Sequence, residues 1–289
     1  MAAEYLGGFT VPERAEYIRV LCVELNRIAS HFMFLGAYGQ DIGLFGTSFT
    51  WGFRERERIM DLFEEWTGER MMYSYFRVGG LAWELPAGWQ RKVRELLPLL
   101  RQGIRDFDGL VTDNDIFIAR TRNVGAISAE AAVDYGVTGP LLRACGVPYD
   151  VRREEPYSVY PQLEFDIPVG TTGDCYDRYL MRVEEIKQSL RIVEQCLELM
   201  PGSGPLLAAN MPRMLRLPAG EVYARVESPR GEYGWYMVSK GGNKPWRTKL
   251  RSPCFCNLSA LRAMTIGEYF ADAVAIIGSL DLVMCEVDR

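Results

Sequence analysis

From Pro12 onward, Ile18, Leu21, Leu25, Ile28 and Phe32 recur at spacings of three and four residues. That rhythm places them along one side of a helix, because about 3.6 residues complete a turn. Pro12 suits the first helical turn, where a missing N–H costs no hydrogen bond. Gly36 and Gly43 bracket the expected end. A second helix is expected over about 51–65, with Phe53, Met60, Leu62 and Phe63 apolar and Arg54 to Arg58 alternating in charge. Gly79-Gly80 marks a turn. A third helix is expected over about 88–107, entered after Pro86, and a shorter one over 115–122.

Residues 123–174 are rich in glycine and proline, with short helical pieces near 128–135 and 140–145. Their apolar content is too high for disorder, so they read as ordered loop packed between helices. The clearest helix is expected over 174–200. Tyr179, Val183, Ile186, Leu190, Val193 and Leu197 keep a heptad-like spacing, with Arg, Glu and Lys elsewhere. Gly173-Asp174 opens it and Pro201-Gly202 stops it. After Pro218 the period changes. Val222–Val226 alternates, Ser228-Pro229-Arg230-Gly231 turns, and Tyr233–Val238 alternates again, which predicts a hairpin. Residues 246–250 offer a third strand, and 270–280 a short apolar helix. With no repeat and no linker, the pattern predicts a single domain over 1–289: mainly α with a small antiparallel β-sheet, an α+β class.

Composition narrows the functional classes. The 289 residues are 48% hydrophobic and 25% charged, with a net charge of −5. This is ordinary globular composition, and nothing in it suggests a nucleic-acid surface. No apolar run approaches membrane-spanning length, so membrane association is expected through partners. Seven cysteines, an odd number without a CxxC pair, point to free thiols. Cys196 falls on an apolar helical face and reads as a small buried hydrophobe, and Cys254 and Cys256 as core or surface cysteines. The one histidine, His31, excludes a histidine-rich zinc or di-iron site made by this chain alone.

Two features invite chemistry. Arg247, Lys249 and Arg251 alternate, so they share one strand face. That face is either a solvated edge or a basic surface facing acidic groups of a partner or of this chain; the pattern leaves both open. Asp41 follows a glycine-rich helix end, with Phe45 and Phe49 beyond. Apolar surroundings would disfavour its charged form and suit it to proton transfer; the plainer reading is a helix-end aspartate. No nucleotide-binding, nucleophile-elbow or HExxH motif occurs.

Long strings carry a resemblance. They include Pro12-Glu-Arg-Ala-Glu-Tyr-Ile-Arg-Val, Glu24-Leu-Asn-Arg-Ile-Ala-Ser-His, Gly173-Asp-Cys-Tyr-Asp-Arg-Tyr-Leu, Glu227-Ser-Pro-Arg-Gly-Glu and Val283-Met-Cys-Glu-Val-Asp-Arg. In order and over nearly the whole chain, they resemble the D-type, quinone-site component of proton-translocating NADH:quinone oxidoreductase (respiratory complex I). The resemblance implies the helical-bundle fold of the nickel–iron hydrogenase large subunit. It implies a place in an electron-transfer assembly, packed against the small subunit that holds the terminal iron–sulfur cluster, with quinone as substrate in the cleft between them. NADH and the iron–sulfur clusters would be bound by other subunits. The location would be peripheral, on the cytoplasmic side of the inner membrane or its matrix or stromal equivalent.

Residue by residue, Asp41 matches an aspartate that pairs with a quinone-site histidine and is linked to proton coupling, which makes it the catalytic candidate. Met33, Phe49 and Val283 match positions lining the quinone cleft. Arg230 and Glu232 match a turn whose role is taken as structural. The chain departs from the family in places. The family's N-terminal β-rich segment, with the histidine and tyrosine that bond quinone, is expected to be lacking. Met72 stands where many members carry a histidine near the terminal cluster. The stretch from Pro201 to Pro218 is shorter than usual, and Cys285 replaces a glycine. A hydrogenase large subunit would need a CxxC pair near each end; Asp281-Leu-Val-Met-Cys-Glu286 has none. The remaining alternative is a non-catalytic scaffold component of a complex-I-like or hydrogenase-related membrane assembly.

Overall fold

A computed structural model describes residues 1–288, apart from the side chain of Phe45. The expected first helix is α2, Glu13–Ile42, and it follows a short helix α1, Ala2–Gly7, that the pattern did not predict. Glu4 fastens α1 to α2 through Arg19 at 2.7 Å. Gly43 ends α2 in the left-handed conformation, φ 104°, and its N–H returns to the Gln40 and Gly39 carbonyls. Gly36 does not mark the end. It lies inside α2, where an added Cβ would sit 3.2 Å from the Phe49 backbone. By length and composition α2 is apolar enough to cross a membrane, against the expectation, but most of that stretch is buried in the fold.

Helix α3 spans Phe45–Thr67 and starts six residues before the expected 51. Gly46, Thr47 and Ser48 are weak helix formers, so packing on α2 decides this first turn. The two helices approach closely at Gly52, where a Cβ would lie 2.5 Å from the Phe32 carbonyl oxygen. Gly52→Ala is therefore expected to cost about 1–3 kcal/mol, as overpacking does, and to lower the urea midpoint of the chain. An unchanged midpoint would show that the helices can part without penalty.

A two-strand hairpin, β1 Phe76–Arg77 and β2 Gly80–Leu81, turns where Gly79-Gly80 predicted. Helix α4, Trp89–Phe107, runs into a π-helical turn over Asp108–Thr112, and α5 is Asp115–Thr121. The glycine-rich stretch is ordered as expected. It carries α6, Ala129–Asp134, α7, Pro140–Ala144, and α8, Val151–Glu154, and it buries Ile127, Val151, Tyr160 and Phe165.

Helix α9, Cys175–Leu199, is capped by Asp174, whose carboxylate accepts the Asp177 N–H at 2.8 Å. It lies antiparallel on α2, since Glu24 meets Ser189 and His31 meets Glu185. Strands β3 Ala219–Ser228, β4 Gly231–Lys240 and β5 Arg247–Arg251 form one antiparallel sheet in that order, with Pro229-Arg230 as the two-residue turn. The hairpin is longer than expected at both ends. Short helices close the chain: α10 Pro253–Ser259, α11 Leu261–Thr265, α12 Ala273–Ser279 and α13 Met284–Val287. Apart from the shifted ends and the added short helices, the mainly α architecture with a small antiparallel sheet stands as expected.

Candidate functional site

Helix α2 turns two different polar faces outward and inward. Asn26, Ser30, Met33, Ala37 and Asp41 recur at three or four residues and are exposed or half-buried, so one strip of this core helix stays open. Met33 is 43% exposed and Phe49, on the first turns of α3, is 38% exposed and stacks on Phe53 at 4.2 Å. Phe49 borders the strip because its backbone abuts Gly36. The opposite border is α12 and the segment after it. A Cβ on Gly278 would lie 3.3 Å from Asp41 Oδ2. Asp41 forms no hydrogen bond or ion pair among the described residues, and partial burial raises its pKa.

Arg230, at the β3–β4 turn, fixes that second border. Its Nε donates to the Asp281 carbonyl at 2.8 Å, Nη2 to Asp281 Oδ1 at 3.0 Å, and Nη1 to Ser30 Oγ at 3.2 Å. One guanidinium thus ties α2, the sheet and the C-terminal segment together. Two residues on, the half-buried Val283 donates its N–H to Cys254 Sγ at 3.4 Å. The structure therefore brings Met33 and Asp41 onto one strip, with Phe49 on one border and the Val283 segment on the other. A separate cleft, about 650 Å³, opens between α1, the first half of α2 and the apolar face of β3–β4. It shares Asn26 with the strip but does not reach Asp41.

The inward polar face was not anticipated. Glu24, Arg27 and His31 on α2 face Ser189, Glu185 and Arg182 on α9, and all are almost fully buried, as is Arg178 further along α9. The charged positions of α9 therefore are not all solvated. Glu24 accepts from Tyr160 Oη and Ser189 Oγ, each at 2.6 Å, and from Arg27 and Arg152, each at 3.1 Å. Burial alone would raise its pKa; Arg27 and Arg152 overcome this and hold it at about 2. Arg143 from α7 is the hub. It donates to Glu185 at 2.6 Å and to Glu227 at 2.9 Å, and lies 3.5 Å from Asp150. The only sequence sign of this seam was a second three-and-four spacing, Arg178, Arg182, Glu185 and Ser189, in phase beside the apolar stripe.

Glu227 is the exception among these carboxyls. Burial and the nearby Asp150 charge raise it to about 7, against the pull of Arg143 and Arg152. Folded, it keeps its proton until about pH 7; unfolded, it loses it near 4.5. Between those values the folded state holds more protons, so this group makes stability fall as pH rises, by roughly 3 kcal/mol in all. His31, whose pKa is lowered mainly by burial, works in the opposite direction near pH 6.5. Glu227→Gln is therefore expected to gain stability relative to the natural chain on going from pH 5 to pH 8, read from urea midpoints. A constant difference between the two chains would rule out the raised carboxyl.

The basic row divides. Arg247 and Lys249 are exposed, whereas Arg251 donates to the Glu232 carbonyl at 2.6 Å and to the Gly136 carbonyl at 2.9 Å. Cys196 is fully buried, as expected for a small hydrophobe. Among the described residues no group of three or more His, Cys, Asp or Glu side chains is placed to hold a metal ion. Met72 is 90% exposed with φ 62°, and Ile266, Tyr269 and Phe270 lie open near α11 and α12.

A helical core built on α2, α3, α4 and α9, with a small antiparallel sheet and an open polar strip on the central helix, defines the class related to the nickel–iron hydrogenase large subunit. Residues 41–289 match the family described as respiratory-chain NADH dehydrogenase, 49 Kd subunit, and the chain belongs to that family. It is 49% identical to the first of the D-type NADH-quinone oxidoreductase subunits of Roseiflexus sp. (strain RS-1), over 100% of this chain and 79% of that protein. It is 47% identical to the D-type NADH-quinone oxidoreductase protein of Dehalococcoides mccartyi, over 100% of this chain and 78% of that one. The corresponding D-type protein of Desulforamulus reducens is 48% identical, over 99% and 78%. Membership makes the chain a component of complex I, an oxidoreductase assembly of electron transport associated with a membrane, and other complex I subunits are its partners.

Proposed function

We propose that this chain, acting as one domain, forms one wall of the site where quinone is reduced beside a terminal iron–sulfur cluster held by the small partner subunit, and that the reaction drives proton translocation elsewhere in the assembly. Electrons reach the site from NADH through clusters in other subunits. Met33, Phe49 and Val283 form apolar wall for the quinone, and Asp41 is the proton-handling group. The assembly sits with this chain peripheral, on the cytoplasmic side of the inner membrane or its organellar equivalent.

One observation carries the reading. The most apolar long helix of the fold leaves one strip uncovered, and that strip presents Met33 and an Asp41 unpaired among the described residues, between Phe49 and the anchored Val283 segment. A carboxyl with no such partner, its pKa raised by partial burial, holds its proton more firmly than a free aspartate and suits proton transfer. The apolar neighbours suit a lipid-soluble headgroup.

The test is purification of the native assembly, identification of its subunits, and an inhibitor-sensitive quinone-reductase assay. Quinone reduction lost on blocking the site is expected. An assembly that holds this chain and reduces no quinone would instead support a scaffold role.

A further inference from the structure

Four buried polar atoms where the α2–α9 seam meets the segment after α12 have no hydrogen-bond partner among the described residues: His31 Nδ1, Arg182 Nε and Nη2, and Asp281 Oδ2. The His31, Arg182 and Glu185 side chains are at most 1% exposed and that of Asp281 is 10% exposed. Arg182 stacks over the Phe34 ring at 4.0 Å, and Phe34 is one turn from His31 on α2. Arg182 Nε stops 3.8 Å short of Asp281 Oδ2, beyond hydrogen-bond reach. Folded proteins rarely leave buried polar atoms orphaned, and each one costs about 1–3 kcal/mol. Four together at one junction call for a missing partner.

The protonation states fix what that partner must offer. His31 Nε2 lies 2.9 Å from Glu185 Oε2. Burial opposes ionisation of Glu185, but Arg143 and His31 hold its pKa well below the usual range. Nε2 therefore donates, and because burial lowers the His31 pKa the neutral ring keeps a lone pair on Nδ1. The orphans are thus two acceptors, His31 Nδ1 and Asp281 Oδ2, and two donors, Arg182 Nε and Nη2. An anion would satisfy only the donors and a cation only the acceptors. Water has two hydrogens and two lone pairs.

We propose that this junction is a hydration site, in which one internal water or a short file of them donates to His31 Nδ1 and Asp281 Oδ2 and accepts from Arg182. About one buried water per 27 residues is ordinary for a folded chain, usually at such orphaned groups. The water adds a direct link between two parts of the polar network. On one side are Glu185, Arg143 and Glu227; on the other are Asp281, Arg230 and the Val283 segment. The buried ionic core is thereby in hydrogen-bond continuity with the border of the α2 strip. The hydration site itself does not depend on what that strip binds.

His31 is the one histidine of the chain, so 13C/15N-histidine labelling of the full chain gives a single imidazole to read by NMR. The expected result is a contact between the ring protons and a long-lived water, with the Nδ1 shift of a hydrogen-bonded acceptor. Arg182→Met removes both donors; the water contact should vanish and the Nδ1 shift move to that of a free lone pair. Arg182→Lys keeps a donor and should retain the contact. A natural chain in which the ring shows no water contact, or in which Nδ1 is bonded directly by a side chain, would overturn the proposal even if neither variant folds. None of these signals involves quinone reduction.

Discussion

Replacing Arg143 with methionine is expected to destabilise the chain by on the order of 3–5 kcal/mol, enough to remove a large part of the stability of an ordinary domain. Methionine fills much of the arginine volume, so the loss is electrostatic rather than a cavity. Arg143 is fully buried and donates to Glu185, Glu227 and the Tyr149 carbonyl. Without it Glu185, Glu227 and Asp150 stand close together in a site with little water. Burial and mutual repulsion would then force protonation or local opening. The urea midpoint of the full chain measures this. Arg143→Lys keeps one charge but not the planar fork and should fall between the two. A methionine variant within about 1 kcal/mol of the natural chain would mean that the hub contributes specificity rather than stability.

Asp41→Asn is expected to lower coupled quinone reduction in the intact assembly by roughly a hundredfold, the low end of what a positioned acid or base contributes. The substitution keeps size and polarity. Asp41 is exposed and has no hydrogen-bond partner among the described residues, so the fold and the assembly should be unaffected. Burial raises the Asp41 pKa in the folded chain. The carboxyl therefore holds its proton to higher pH than a free aspartate, and the natural enzyme should lose rate as rising pH removes that proton. The variant should lose that limb of the profile. Unchanged turnover and pumping, with the same pH profile, would remove Asp41 from the mechanism.

Much of the fold was legible in periodicity. The stripe Ile18 to Phe32, the heptad-like run Tyr179 to Leu197 and the alternation around Ser228 each follow from one rule, that apolar side chains must face a common core. The site was legible only in part. Asp41 was singled out by its glycine-rich, aromatic setting and weighed toward function by resemblance; Met33, Phe49 and Val283 were marked by resemblance alone. Periodicity alone would have left Met33 and Phe49 as core, yet both are substantially exposed. The buried seam was missed because Arg and Glu at helical spacing look alike whether water or another helix covers them.

Sequence by itself determined the long helices and the main hairpin, the family, and the absence of a histidine-rich metal set, because these depend on local spacing and composition. Only the tertiary structure decided that Gly36 is a contact and not a helix end, that α3 begins early, and which charges of α2 and α9 are buried. Burial is a property of what lies opposite a residue, often more than a hundred positions away in the chain, as Glu185 is from His31. No local pattern can encode it.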